Sequence, residues 1–236
     1  MENDLAKARE IQQHMLPAEA PDLDGVDIAG FCQPADACGG DFYDCILLPS
    51  GKCDLVVDDV SSHGFGPALI MVGTRRLLRT CAPMHDDLGQ VVTIANQAVH
   101  EDTLPEQFVS MFYCRLDPSS GQLSFASAGH SACVIKADGS ATTLQTKDLL
   151  LGLLPSNTYE MIDGEPLQQG EILLLMTDGA FEVQSSDNEL FGQQRVIDLI
   201  HQHRDKPAAS IIDVVLEEIT NFGKSRALKM TSLLSW

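Results

Sequence analysis

Apolar residues recur along the chain with two periods, and the switches between them mark out its elements. Leu5, Ala8, Ile11 and Met15 fall at spacings of three and four, which predicts a helix over residues 3–16 with one apolar stripe. Pro17 and Pro21 end it. So short a helix is not stable alone, so it packs on the rest of the chain or pairs with another copy. From Val26 onward strand patterns dominate. FYDCILL (42–48) and CDLVV (53–57) flank Pro49-Ser50-Gly51-Lys52, a hairpin turn. A helix is expected over 66–79, with Pro67 suited to its first turn, and another over 88–100, with Val91, Ile94, Ala95 and Ala98 on one side. FVSMFYCRL, the turn DPSSG and QLSFASAGH predict a second hairpin, and ACVIKADGSATTL a third around Asp138-Gly139. EILLLMTDG (171–179) opens as an unbroken apolar run, the pattern of a strand buried on both faces. Helices over 193–203 and 207–222 close the chain, the latter with Ile211, Val215, Ile219 and Phe222 on its core face.

Hairpins followed by helix pairs do not make a regular βαβ alternation. They predict an α+β protein, antiparallel sheets with helices packed outside. A length of 236 residues and a hydrophobic fraction of 44% fit one large globular domain. No apolar run approaches the roughly 20 residues that span a bilayer. The opening MENDLAKAREIQQHMLP lacks the apolar region of a signal peptide, so a cytoplasmic protein is expected. A net charge of −19 repels phosphate backbones and anionic lipid, which argues against nucleic acid and membrane as partners. It also means that a phosphorylated substrate would need cations to screen the chain's own field. The seven cysteines form no C-x-x-C pair and are odd in number, so buried free thiols are expected rather than zinc or disulfides.

Candidate chemistry lies where acidic residues converge. With the first hairpin turning near Ser50-Gly51, Asp41 is expected opposite Val60, with Asp59 beside it. GGDFYD (39–44) and VVDDVSSHG (56–64) then meet at the hairpin's open end. The second hairpin places Phe108 opposite His130, and the buried strand delivers Asp178-Gly179 at its end. Carboxylates gathered at strand ends repel one another unless protonated or bridged by cations. Oxygen donors of this kind suit Mg²⁺ or Mn²⁺. Gly39, Gly40, Gly64 and Gly179 beside the acids allow sharp turns and close backbone approach.

In order along the chain, GGDFYD, DDVSSHG, FVSMFY, ASAGH, TDG and NELFG resemble the motifs of PPM-type metal-dependent serine/threonine protein phosphatases, in the stage II sporulation and sigma-factor-regulating branch. AREIQQHMLP and PADACGGDFYD resemble the helix and linker that precede that domain, so residues 1–21 are expected to be a linker helix and 22–236 the phosphatase domain. The resemblance implies a four-layer α-β-β-α sandwich of two antiparallel sheets flanked by helices. It also implies hydrolysis of phosphoserine or phosphothreonine on a phosphorylated regulatory protein, similar to an anti-sigma-factor antagonist, by a water that two Mn²⁺ or Mg²⁺ ions activate. By that resemblance Asp59 takes the place of the carboxylate bridging both metals, the Val60 carbonyl completes the coordination of the second metal, Asp178 binds the first metal, and Asp41 is a ligand directly or through water. Asp44, Gly179 and His130 fall in supporting positions around those ligands. His63 is a candidate general acid, since imidazole titrates near neutrality, and it equally suits a hydrogen-bonding prop.

The chain departs from the family pattern in three places. Where two adjacent acids normally precede the last strand, this chain has Ala227-Leu228-Lys229-Met230-Thr231, so one metal lacks a carboxylate. Asp58 and Ser62 stand where glycines are common, and Ser62 falls where positive φ is needed. Lys147-Asp148 replaces a usual glycine. Weakened activity is therefore expected, with a non-catalytic binding module as the alternative. The N-terminal helix is expected to carry regulation and to offer a homodimer contact.

Overall fold

The computed structural model describes residues 2–34, 38–62, 64–223 and 231–235. His63, Leu228 and Lys229 lie outside the described residues. Two five-stranded sheets form, numbered here in chain order. One runs β1 (Asp27–Phe31), β10 (Thr231–Ser235), β9 (Ile172–Met176), β6 (Ala132–Ile135) and β7 (Ala141–Leu144). The other runs β2 (Phe42–Leu47), β3 (Cys53–Val60), β4 (Val109–Leu116), β5 (Leu123–Ala128) and β8 (Ile162–Asp163). Neighbouring strands are antiparallel throughout. Five α-helices are seen among the described residues: α1 (Glu2–Met15), α2 (Phe65–Cys81), α3 (Leu88–Asp102), α4 (Gln193–Gln202) and α5 (Ala208–Gly223). None of them is long and apolar enough to cross a membrane.

The strand pleat sorts the side chains into layers. On β3, Cys53, Leu55 and Val57 point toward the other sheet and pack with Leu173 and Leu175 of β9. Val56 and Val60 point the opposite way, onto Met71 and Leu78 of α2 and Val91 and Ala95 of α3. The outer face of β9 and β6 packs on α4 and α5 through Leu174, Ile135, Val196, Ile211 and Val215. Three cores separate four layers, the α-β-β-α order expected of the sequence. All five residues of β9 are buried because helices and the second sheet cover its two faces. Local signals set the helix ends. The Asp87 carboxylate caps α3 by accepting from the Gly89 N–H at 2.8 Å, and Asp27 of β1 accepts from Ala208 N–H at 2.7 Å at the start of α5.

Two hairpin registers differ by one residue from the sequence expectation. Phe42 faces Asp58 and Leu47 faces Cys53, so continuing the ladder puts Asp41 opposite Asp59 rather than Val60. The cause lies in the turn. Leu48 and Lys52 close a three-residue loop, the Leu48 N–H donating to the Lys52 carbonyl at 2.8 Å, with Gly51 at φ 84, where a four-residue turn was expected. In the second hairpin Phe112 faces Ser127, which moves Phe108 off His130 by one position.

Two buried carboxylates tie the helices to the second sheet. Asp54 is fully buried on the helix-facing side of β3 and receives Arg115 Nε at 2.5 Å, Arg115 Nη2 at 2.8 Å and the Tyr113 hydroxyl at 2.6 Å. The same guanidinium donates to the carbonyls of Ala82 at 3.1 Å and His85 at 3.0 Å, so it holds the α2–α3 connection against the sheet. Removing Asp54 would leave a buried cation uncompensated. Asp54→Ala should lower stability by about 3 kcal/mol or more, read as a fall in the urea midpoint with an unchanged denaturant slope.

Candidate active site

The site is assembled at one end of the sandwich, where strands of both sheets stop. Alternation along β3 turns Asp59 toward the other sheet, opposite Ser110 of β4. Across the gap, β9 ends at Met176, and a single turn of 3₁₀ helix, Asp178–Ala180, follows Thr177. The N–H groups of Phe181 and Glu182 bond back to the Asp178 carbonyl at 3.0 and 2.8 Å and fix that turn, which includes Gly179. Asp59 and Asp178 thereby line one cleft of about 250 Å³, together with Ser110, His130, Cys133 and Gln193. Asp41 joins from the start of β2: the Thr177 hydroxyl donates to Asp41 Oδ2 at 3.5 Å, beside Asp178. The three acids singled out from distant stretches of sequence therefore meet at the same end of the fold.

Val60 is buried, and the backbone packs tightly around its carbonyl. A Cβ on Gly40 would stand 2.8 Å from the Val60 Cβ and 3.1 Å from the Val60 oxygen. Glycine is needed there for close approach, whatever its φ. Ser62, two residues on, adopts φ 76, the left-handed conformation expected from the glycine it replaces.

His130 braces the two sheets across the cleft. Its Nε2 lies 3.0 Å from the Met176 carbonyl and its Nδ1 lies 3.0 Å from the Ser110 hydroxyl. A carbonyl only accepts, so Nε2 carries the proton and Nδ1 accepts from Ser110. Burial lowers the imidazole pKa, against the opposing pull of the Met176 bond and of Asp59 and Asp178, which favours the neutral ring. Its partners are the cross-strand neighbour of Asp59 and the residue two before Asp178.

Asp44, expected among the supporting residues of the centre, does other work. It is buried on the helix-facing side of β2, takes Arg79 Nε and Nη2 at 2.6 Å each, and lies 3.1 Å from Arg75 Nε. Its role in the structure is to anchor α2. The alternation that turns Asp41 and Asp59 to one face turns Asp44 to the other.

Sequence reasoning noted Asp58 as an added charge but not its placement. It is fully buried on the helix side of β3, between Phe42 and Met111, and among the described residues neither carboxylate oxygen finds a hydrogen-bond partner. Burial first, then the charges of Asp59 and Asp41, pushes its pKa well above the carboxylate range. The signal was available: residue 58 has the parity of Val56 and Val60, which face the helices. Ser110 and Thr177 were missed because hydroxyls carry no pattern of their own.

Carboxylates and a main-chain carbonyl are hard donors, so the residues present suit Mg²⁺ or Mn²⁺ in kind. Among the described residues no three His, Cys, Asp or Glu side chains stand close enough to form a cage alone. A cation held by Asp59, Asp178 or Asp41 would complete its shell with the Val60 carbonyl and water, as Mg²⁺ does readily.

Comparison with known proteins bears on the family and the fold. A family model described as Stage II sporulation protein E (SpoIIE) matches residues 49–228. The chain belongs to the SpoIIE family. Among curated relatives of this SpoIIE-family chain, protein IcfG of Synechocystis is 29% identical over 92% of the chain and 38% of its own length. Phosphoserine phosphatase RsbU of Bacillus subtilis is 23% identical over 93% of the chain and 65% of its own length. The chain thus spans under two thirds of these relatives. Among solved structures, the SiaA-PP2C domain of Pseudomonas aeruginosa superposes with a TM-score of 0.81 at 21% identity, covering 99% of this chain and 96% of that one. The RsbU and RsbW domains of Rv1364c from Mycobacterium tuberculosis give 0.74 at 25% identity, over 93% of this chain and 61% of theirs. The SpoIIE-family fold and the four-layer architecture agree.

Asp58 has a consequence for stability against pH. Between the ordinary carboxylate pKa, about 3.9, and its raised folded value, the native state binds more protons than the unfolded chain, so stability falls as pH rises through that window. Asp58→Asn carries no such proton. In EDTA, urea unfolding at pH 4.5 and 7.5 should show a larger loss on raising pH for the wild-type protein than for Asp58→Asn; equal losses would contradict the placement.

Proposed function

We propose that this chain is the catalytic domain of a metal-dependent phosphatase that hydrolyses phosphoserine or phosphothreonine on a regulatory protein. The observation that carries the reading is that Asp59 of β3 and Asp178 after β9 line one cleft from different sheets, with Asp41 linked to Thr177 beside them. The cleft is open to solvent at the edge of the sandwich, where a phosphorylated side chain of a protein can enter. Divalent cations, when bound, supply an activated water and neutralise charge on the phosphoryl group. The chain's own residues hold the geometry. Asp59 and Asp178 offer oxygen donors from facing strands. His130 ties Ser110 of β4, the cross-strand neighbour of Asp59, to Met176 at the end of β9 and so holds the two sides of the cleft at a fixed separation. His63 remains the candidate for protonating the departing seryl or threonyl oxygen. RsbU, one of the relatives, is named a phosphoserine phosphatase, which supports the substrate class.

Leu228 and Lys229, standing where the family pattern has acids, reduce the negative charge available to a cation, so activity is expected only at high Mn²⁺. They also favour a second reading, a phosphatase-like module that docks a phosphoprotein or regulator without turning it over. Calorimetric titration with Mn²⁺ separates the two: binding accompanied by phosphate release supports the enzyme, and no binding supports the module.

A homodimer through α1 is part of the proposal. Of the apolar stripe read from the sequence, Ile11 is 63% exposed and Leu5 37%, while Ala8 and Met15 are half-buried. Ile11→Asp should convert a dimer to a monomer in light scattering, and an unchanged mass would count against that contact. For the reaction, phosphate release from a phosphoserine peptide across a Mn²⁺ series should fall roughly a hundredfold or more in Asp59→Asn. Equal rates in the two proteins would remove Asp59 from the mechanism.

A further inference from the structure

Helix α1 reaches the site through a polar side chain. Gln12 is 5% exposed, although its neighbours Ile11 and Gln13 face solvent. Its amide pairs with both backbone groups of Gly39: Gln12 Nε2 donates to the Gly39 carbonyl at 2.6 Å, and the Gly39 N–H donates to Gln12 Oε1 at 3.0 Å. The end of the helix is held as well. Leu16 packs against the core beneath α2 and α3, and the Tyr43 hydroxyl donates to the Pro17 carbonyl at 3.3 Å.

The segment that Gln12 grips leads directly into the acidic centre. Gly39 precedes Gly40, whose backbone is pressed against Val60 and Pro67 so closely that a Cβ would meet Val60 Cβ at 2.8 Å and Pro67 Cβ at 3.0 Å. The next residue is Asp41. One amide therefore fixes a turn that presents a carboxylate on one side and packs against the Val60 carbonyl on the other. A planar amide meeting a donor and an acceptor on one residue restrains both the position and the rotation of that peptide, which a purely apolar contact does not.

We propose that Gln12 is a positioning residue for the cation site: with α1 docked, its amide holds Gly39–Asp41 against Val60 in the geometry that binds the ion, and without that grip the site binds the ion less tightly. The inference rests on the functional reading above only in taking Asp41 and Val60 as donors. Hydrogen-bonded neighbours of metal ligands commonly change metal affinity by roughly tenfold or more when removed.

The test uses Gln12→Ala and Gln12→Met, the second keeping length and packing while losing both hydrogen bonds, with Gln13→Ala as an exposed control. Mn²⁺ affinity is measured by calorimetry, and exchange of the Gly39 amide proton is followed by NMR in metal-free protein. Both Gln12 variants should bind Mn²⁺ roughly tenfold more weakly than wild type and should exchange the Gly39 amide faster, while thermal unfolding of Gln12→Met and all readouts of Gln13→Ala stay near wild type. Unchanged Mn²⁺ affinity in Gln12→Met overturns the proposal whatever its amide exchange does. A wild-type protein that binds no Mn²⁺ overturns both this inference and the phosphatase reading, whereas wild-type binding and turnover with no effect of the Gln12 variants overturns this inference alone.

Discussion

Everything at the site depends on holding carboxylates of like charge near one another in a chain that is already strongly anionic. Three acids from distant stretches, with Asp58 packed beneath them, would drift apart by repulsion if the backbone allowed it. The backbone does not allow it, because β3 and β9 are central strands of sheets covered on both faces and cannot shift without opening two hydrophobic cores at once. The apolar packing of the sandwich is thus set against the electrostatic strain of the site, and a bound cation relieves what packing only restrains.

Polar groups distribute that restraint to the surrounding elements. His130 spans the gap between the sheets with both ring nitrogens engaged. Asp44 and Asp54 anchor the helix layer to the second sheet through Arg79 and Arg115, and α2 begins a few residues after Asp59. Gln12 brings α1 to the same end. Each of these contacts is one donor–acceptor pair or a few, and each adds a directional tie between elements that the hydrophobic cores already bring together.

The N-terminal helix shows how a polar anchor and an apolar face can divide two tasks. A helix docked by its apolar stripe would have had that stripe buried. Here Gln12 and Leu16 make the contact with the domain, and Ile11 and Leu5 stay open. A hydrogen-bonded amide is easier to release than a buried apolar stripe, since water replaces its bonds, whereas exposed Ile and Leu have no such substitute. The same helix can therefore touch the site on one side and present an apolar face on the other.

The periodicity of the sequence determined most of the architecture. Helix and strand positions, the double burial of β9 and the class of antiparallel sheets covered by helices followed from spacing and element order, because burial on one or two faces imposes a period that survives in a single chain, whereas the count of two sheets came from the family resemblance. The acids Asp41, Asp59 and Asp178 were also legible, since glycine-flanked carboxylates at strand ends are sparse enough to be noticed. Tertiary structure alone decided three things. A three-residue loop closed by Gly51 set the register of the first hairpin, a matter of turn geometry to which hydrophobic pattern is blind. The surroundings of Asp44 and Asp58 came from the fold, an arginine clamp for one and, among the described residues, no hydrogen-bond partner for the other, although strand parity already indicated the helix side. And Gln12, one polar residue in a polar helix, acquired its partner 27 positions away only because the fold brought Gly39 to it; a hydrogen bond between distant backbone and side chain leaves no periodic trace in the sequence.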